Sequence, residues 1–224
     1  MLVQQKQNIK GLSLIETLVV LAIIGAIAAV GFPNFTKWQI DRKVRSHSEK
    51  IATVFTLATS QVERGAYPYV RVLIQNGILI QNGIRVSAHG INQEDFSNKL
   101  NNGDDIDCGA GIFSSADEII SYELEDIKLF HLTDGGGSGA ICFSKGGKYF
   151  KRTGTASTQN NINLDQKATP NFVTICYEKE KSCDAVAKSF DTEDKQPVYL
   201  VNYSRFGMIQ KYKWNYSKND WRSR

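Results

Sequence analysis

From Leu12 to Pro33 the chain reads LSLIETLVVLAIIGAIAAVGFP, an apolar run in which Glu16 is the one charged residue. A helix of about 20 residues, rising about 1.5 Å per residue, spans the roughly 30 Å hydrocarbon core of a bilayer. Lys6 and Lys10 precede the run, and the next basic residue is Lys37. That bias puts the N-terminus in the cytoplasm and the bulk of the chain outside. Three readings compete. The first is a plain signal anchor. The second is a secretory signal peptide cut after Ala28, since Ala26-Ile27-Ala28 fits the small-x-small rule; it exports a soluble β-rich domain. The third rests on order: a basic leader ends in Gly11, Leu12 opens the run, and Glu16 is its fifth residue. A carboxylate inside a membrane segment is expensive and as a rule functional. Neither of the first two readings has a use for it.

The string Lys10-Gly11-Leu12-Ser13-Leu14-Ile15-Glu16, followed by TLVVLAIIGAIAAV over Thr17–Val30, resembles the processing motif and helix of type IV pilins and pseudopilins. The resemblance implies a prepilin peptidase that cuts between Gly11 and Leu12 and methylates the Leu12 amine. Leu12 stands where many members have Phe. Pro33 lies 33 − 12 = 21 residues past the new terminus, where pilins often carry a helix-loosening proline, and Gly31 joins it as the expected kink. The implied partners are that peptidase, the inner membrane, and other pilins or pseudopilins met through the N-terminal helix. The implied location is a single inner-membrane pass with a periplasmic globular domain, later built into a filament. In a filament core a lone carboxylate needs a partner, and the nearest cation is the Leu12 amine of a neighbouring subunit. The bland alternative is a snorkelling or protonated Glu16 with no part in assembly.

Beyond Pro33 the helix is expected to resume at 34–64. Ile51, Phe55, Ala58 and Val62 recur at spacings of 4, 3 and 4, widened by Val54 and Leu57, opposite Arg42, Lys43, Arg45, Glu49 and Lys50. Trp38 and Lys37 sit where an interfacial anchor belongs. After Gly65, glycines punctuate short apolar runs, a β-rich texture. Residues 139–151, 172–177 and 198–214 read as strands or hairpins, and Ile74–Ile78 is echoed by Ile80–Ile84, each with an Asn-Gly turn signal. The expected fold class is therefore α+β: a leader at 1–11, a transmembrane helix at 12–33, an amphipathic continuation at 34–64, and a β-rich domain at 65–224. Its later pieces resemble the globular part of GspH/FimT-type minor pilins and H-type pseudopilins. Cys142–Gly147 resembles a strand–turn element, Val173–Cys176 the next strand, and Tyr203-Ser204-Arg205-Phe206-Gly207 the final one. The stretch from Ala88 to Thr133 looks like an insertion that a minimal pilin domain does not need.

Cys108, Cys142, Cys176 and Cys183 contain no C-x-x-C, and the histidines are scattered, which argues against zinc. An even count behind a membrane segment suggests an oxidising compartment and two disulfides. Three connectivities are open; Cys108–Cys142 with Cys176–Cys183 avoids crossings, and free buried thiols are the alternative. No catalytic centre is expected. Asp134–Gly139 lacks the Lys-Ser/Thr ending of a P-loop and the last glycine of a nucleophile elbow. His47, His89 and His131 have no acid or nucleophile at motif spacing. No cofactor is expected; Asp104, Asp105 and Asp107 cluster as in a calcium loop, without the full pattern. The net charge of +4 falls to 25 − 23 = +2 without the leader, so overall charge makes no case for nucleic acid. The C-terminal segment makes a local one. Lys211, Lys213 and Arg222 interleave with Trp214 and Trp221, and cations with aromatics hold single-stranded DNA by charge and stacking. The same alternation fits a half-buried strand whose aromatics are core and whose lysines face water.

Overall fold

In the computed structural model the described residues are 13–76, 83–103, 108, 111–131, 139–145, 149–153, 160–163, 171–179, 183–184, 189–190, 195–204 and 207–223. The chain divides into two compact units, Met1–Gln39 and Ile40–Arg224, and each is described by itself. Helix α1 (Leu14–Glu63) belongs to the first unit up to Gln39 and to the second from Ile40. Its helical run passes Gly31 and Pro33, where the sequence suggests a kink, without interruption.

The second unit continues with β1 (Tyr69–Asn76), β2 (Ile84–Ile91), α2 (Gln93–Asn101), β3 (Asp117–Leu124), β4 (Ile127–His131), β5 (Gly139–Ser144), β6 (Tyr149–Thr153) and β7 (Asn160–Asn163). Then come β8 (Phe172–Tyr177), β9 (Cys183–Asp184), β10 (Ser189–Phe190), β11 (Val198–Tyr203), β12 (Ile209–Asn215) and β13 (Asp220–Ser223). They form antiparallel sheets ordered β3-β2-β1-β5-β6-β7 and β13-β12-β11-β8-β4, with β9 and β10 paired separately. The α+β expectation holds: a long N-terminal helix precedes a β-rich domain.

The second half of α1 is the centre of that domain. Val44, Ile51, Val54, Phe55, Ala58 and Val62 are buried together with Val70, Val72 and Ile74 of β1, Ile84, Val86 and Ala88 of β2, and Ile141 and Phe143 of β5. The same cluster takes Val173 and Ile175 of β8 and Tyr199, Val201 and Tyr203 of β11, so α1 packs on both sheets. The Phe55 ring stacks on Tyr203 at 4.5 Å and meets Phe143 edge-on at 6.3 Å, the two favourable aromatic geometries. The apolar stripe read from the sequence is the buried face, with Leu57 half-buried at its margin. The compact unit that holds this core begins at Ile40, within α1, because the buried stripe of the helix is part of the core itself.

The first sheet is covered on its other face as well. Tyr69, Ile91, Ala140 and Cys142 lie there, packed by Cys108, Ile112 and Phe113, with Phe96 of α2 against them. Helix α2 is started by Asn92, whose side-chain oxygen accepts from the Asp95 amide at 2.8 Å, and Glu94 and Asp95 complement its N-terminal dipole. The Ala88–Thr133 stretch is thus no appendage. It supplies the end of β2, strands β3 and β4, and the lid of this second layer. Cys108–Cys142 ties that lid to β5, and Cys176–Cys183 ties β8 to β9.

One contact in this layer is unforgiving. A Cβ on Gly90 would lie 2.5 Å from the nearest carbon of the Tyr67 ring. Tyr67 is held by a hydrogen bond from its hydroxyl to Asp117 at 3.3 Å, so the ring is pinned at both ends. Gly90→Ala is expected to destabilise by about 1–3 kcal/mol, the usual range for overpacking a filled site. Urea unfolding followed by tryptophan fluorescence measures this, and Tyr67→Ala in the same chain should return much of the loss.

Candidate processing and assembly segment

The first half of α1 is apolar all the way round. Leu14, Ile15, Leu18, Val19, Val20, Leu21, Ile23, Ile24 and Ile27 are all exposed, and at 100° per residue they cover every side of the helix. A helix apolar on every side has no single face to bury; it must be surrounded, by lipid or by other helices. Phe32, Phe35 and Trp38 continue the exposed apolar surface, with the Phe35 and Trp38 rings stacked at 5.7 Å. Among the described residues no helix is long and apolar enough to cross a membrane.

Glu16 lies in the first turn of α1, where a carboxylate favours the helix dipole. Thr17 follows with its amide and its hydroxyl both directed at the Ser13 carbonyl, 3.1 and 3.4 Å away. Glu16 makes no ion pair among the described residues, and it is exposed amid an apolar surface. An exposed carboxylate in a sleeve of leucine, isoleucine and valine is stable in water but costly once that sleeve is covered, unless a cation arrives with the cover. Gly11 and Leu12, the residues of the expected cut, lie outside the described residues.

The C-terminal residues sort by face. Lys213 lies opposite Tyr199 on β11 and Arg222 on β13, so Lys211, Lys213 and Arg222 share the face that packs on α1. There Lys213 Nζ donates to Asp41 Oδ1 at 2.5 Å, and the Tyr199 hydroxyl donates to the same oxygen at 3.1 Å. Trp214 and Trp221 lie opposite each other on the outer face, where they and Phe190 pack with ring centroids 4.9–5.7 Å apart and Leu200 and Tyr212 complete the cluster. The strand reading of this segment holds. The lysines, however, face α1 half-buried rather than open water, and the cations and aromatics do not form one surface.

Ser87 Oγ and His89 Nε2 lie 2.9 Å apart on β2, a proximity that the two-residue strand period makes legible. Ser87 is buried, so the pair presents no nucleophile to solvent. Beside it Arg85 pairs with Glu118 at 2.7 Å, and Ser121 donates to the same carboxylate. Asp104, Asp105 and Asp107, the loop at 134–138 and the His131 side chain lie outside the described residues. No cluster of metal-ligating side chains occurs among the described ones.

His47 is buried on α1, and burial, reinforced by Lys50 and Lys43, lowers its pKa to about 4 against the pull of Asp126 and the Glu125 backbone. The imidazole is therefore neutral in the fold. Above the unfolded value of 6.5 the shift has no effect; between 6.5 and about 4 the unfolded chain takes up a proton that the fold refuses, and stability drops. The expected loss between pH 7 and pH 4.5 is on the order of 2 kcal/mol. His47→Gln should flatten that part of the pH–stability curve. Asp126, whose pKa Lys43 lowers by hydrogen bond and charge, loses its contribution only at more acid pH, below the ordinary carboxylate value.

A family model described as the prokaryotic N-terminal methylation motif matches residues 6–32. This chain carries the type IV pilin-like signal. The match takes in Gly11, Leu12 and Glu16 together with the all-round apolar half of α1, and it covers 32 − 6 + 1 = 27 of the 224 residues. No curated protein and no solved structure matches the chain. A pilin-like signal of this kind implies processing by a prepilin peptidase and assembly with other pilins in general, and suggests a membrane-anchored filament subunit.

Proposed function

We propose that the chain is a minor pilin or pseudopilin of the GspH/FimT type, a structural subunit that helps to initiate a type IV pilus or a type II secretion filament. The observation that carries this reading is the methylation motif at residues 6–32, centred on the first half of α1, which is apolar on every side and has Glu16 as its one charge. In this reading the peptidase removes residues 1–11 and methylates Leu12. The apolar half of α1 spans the inner membrane once and holds the globular domain in the periplasm, where the two disulfides form. Assembly transfers that half from lipid to a core of neighbouring helices, an exchange of one apolar surrounding for another. Glu16 then meets the Leu12 amine of a neighbour and sets the axial register. As a scaffold the subunit needs no catalytic centre and no cofactor. The short resemblance at Tyr203–Gly207 supports the subgroup: Gly207 has φ +77, and Ser204 closes the β11–β12 turn, its carbonyl taking the Gly207 amide at 3.2 Å and its side chain the Met208 amide at 3.0 Å. DNA capture is the weaker reading, since strand pairing sets the cations and the aromatics on opposite faces.

Fractionation of cells tests the proposal. The expected result is protein in the inner membrane and in filaments sheared from cells, co-purifying with other pilins. Protein found only in the soluble exported fraction contradicts it and favours cleavage after Ala28.

A further inference from the structure

Between Ile209 and Ser223 the β12–β13 hairpin carries Lys211, Lys213, Lys218 and Arg222 against one carboxylate, Asp220. That is 4 − 1 = +3, in a chain whose total is +4. The fold decides where this charge goes. At one end of the hairpin Gly207 packs against Thr59 and Glu63, the last turns of α1. At the other end Lys213 reaches Asp41, the second residue of the globular unit. Strand β12 therefore runs back along α1 towards the place where the chain passes into the domain. The turn at 216–219 comes next, with Lys218 exposed, and Arg222 is exposed opposite Lys213. Asp41 answers Lys213, and Lys218 and Arg222 are exposed at this end of the hairpin.

We propose that this basic end of the hairpin docks on anionic phospholipid headgroups of the membrane that holds the chain's own N-terminal segment, before the subunit is assembled. This rests on the anchored-pilin reading above. Charge complementarity chooses the partner, and the tether makes a small patch sufficient. Ile40 follows Val30, the end of the apolar run, by ten residues, at most about 35 Å of extended chain. The headgroups are thus always at high effective concentration, and each cation near the surface is worth roughly a fivefold change in the docked population. A phosphodiester is common to lipids and nucleic acids. Single-stranded nucleic acid also asks for exposed rings beside the cations, and here Tyr212, Trp214 and Trp221 point to the other face.

The test uses the full chain in nanodiscs of zwitterionic phospholipid, with and without about a third phosphatidylglycerol, and reads amide hydrogen exchange. Expected is a roughly tenfold slowing of exchange over 215–223 in the anionic discs only, lost at 0.5 M salt, where the Debye length falls below about 5 Å. Lys218→Ala with Arg222→Ala should abolish the slowing, and Lys218→Arg with Arg222→Lys should keep it. Equal exchange in both discs overturns the proposal. So does slowing in zwitterionic discs that appears only when an oligonucleotide is added, which would make nucleic acid the partner. A chain that enters neither disc is recognised by its failure to co-elute before any exchange is measured; that outcome removes the anchored reading and this proposal with it.

Discussion

Glu16→Val is expected to give a subunit that is processed, membrane-held and folded, yet absent from or strongly depleted in filaments. Removing the carboxylate makes the first half of α1 a better membrane helix, because the cost of a charge in hydrocarbon disappears. The scissile Gly11–Leu12 bond is untouched, so cleavage should continue. The second unit begins at Ile40 and has its own core, so folding should be unaffected. Assembly is expected to differ: under the proposed pairing the neighbour's Leu12 amine would be left unpaired among apolar side chains, a penalty of about 3–5 kcal/mol for breaking a buried pair from one side. At 1.4 kcal/mol per factor of ten, that is a hundredfold or greater loss of incorporation. Gel mobility reads cleavage and the sheared fraction reads incorporation. Normal incorporation of the variant would remove the assembly role. If the subunit caps the filament, only one side of the pairing is present, and the loss should shrink for either Leu12 or Glu16.

The second large effect concerns the lid over the first sheet. Cys108–Cys142 closes a loop with a sequence separation of 34, and chain-entropy arguments give a bridge of that length on the order of 4 kcal/mol, against about 2–3 kcal/mol for the separation of 7 in Cys176–Cys183. Replacing Cys108 and Cys142 together by Ser should therefore destabilise more than replacing Cys176 and Cys183. The loss should also be local at first. Helix α2 buries no residue fully and rests on Phe96, while the 111–116 turn is held by Ile112, Phe113 and the Lys99 contact with the Gly111 carbonyl at 2.8 Å. Without the bridge these segments should lose exchange protection before β1 and β2 do. Equal losses for the two pairs, or simultaneous loss of protection throughout, would contradict this layering.

These effects also mark what the sequence reveals and what it hides. The N-terminal segment is legible because one carboxylate stands in a run that is otherwise apolar, and no packing partner is needed to see it. The stripe Ile51–Val62 is legible because a helix buries one face. The first sheet is harder because it is buried on both faces: Gly139–Ser144 reads as an unbroken apolar run, which carries no period. The Ala88–Thr133 stretch is hardest. Helix α2 is nearly all polar, and β3 is an edge strand with three acids whose alternation is broken by a bulge at Ala88/His89. A signal was nevertheless present there, in Asn92 with Glu94 and Asp95, the pattern of a helix start. At the C-terminus, alternation separates lysines from aromatics correctly but does not say which face meets α1. That depends on Asp41, 172 residues away in sequence from Lys213.

In the proposed function the mature chain begins at Leu12. Intact-mass and N-terminal peptide mass spectrometry of protein extracted from membranes tests it most directly. The expected result is a terminus at Leu12 bearing one methyl group on its amine, with Glu16 and the whole of α1 retained. A terminus at Ala29, following cleavage after Ala28, or an unprocessed Met1 would contradict it.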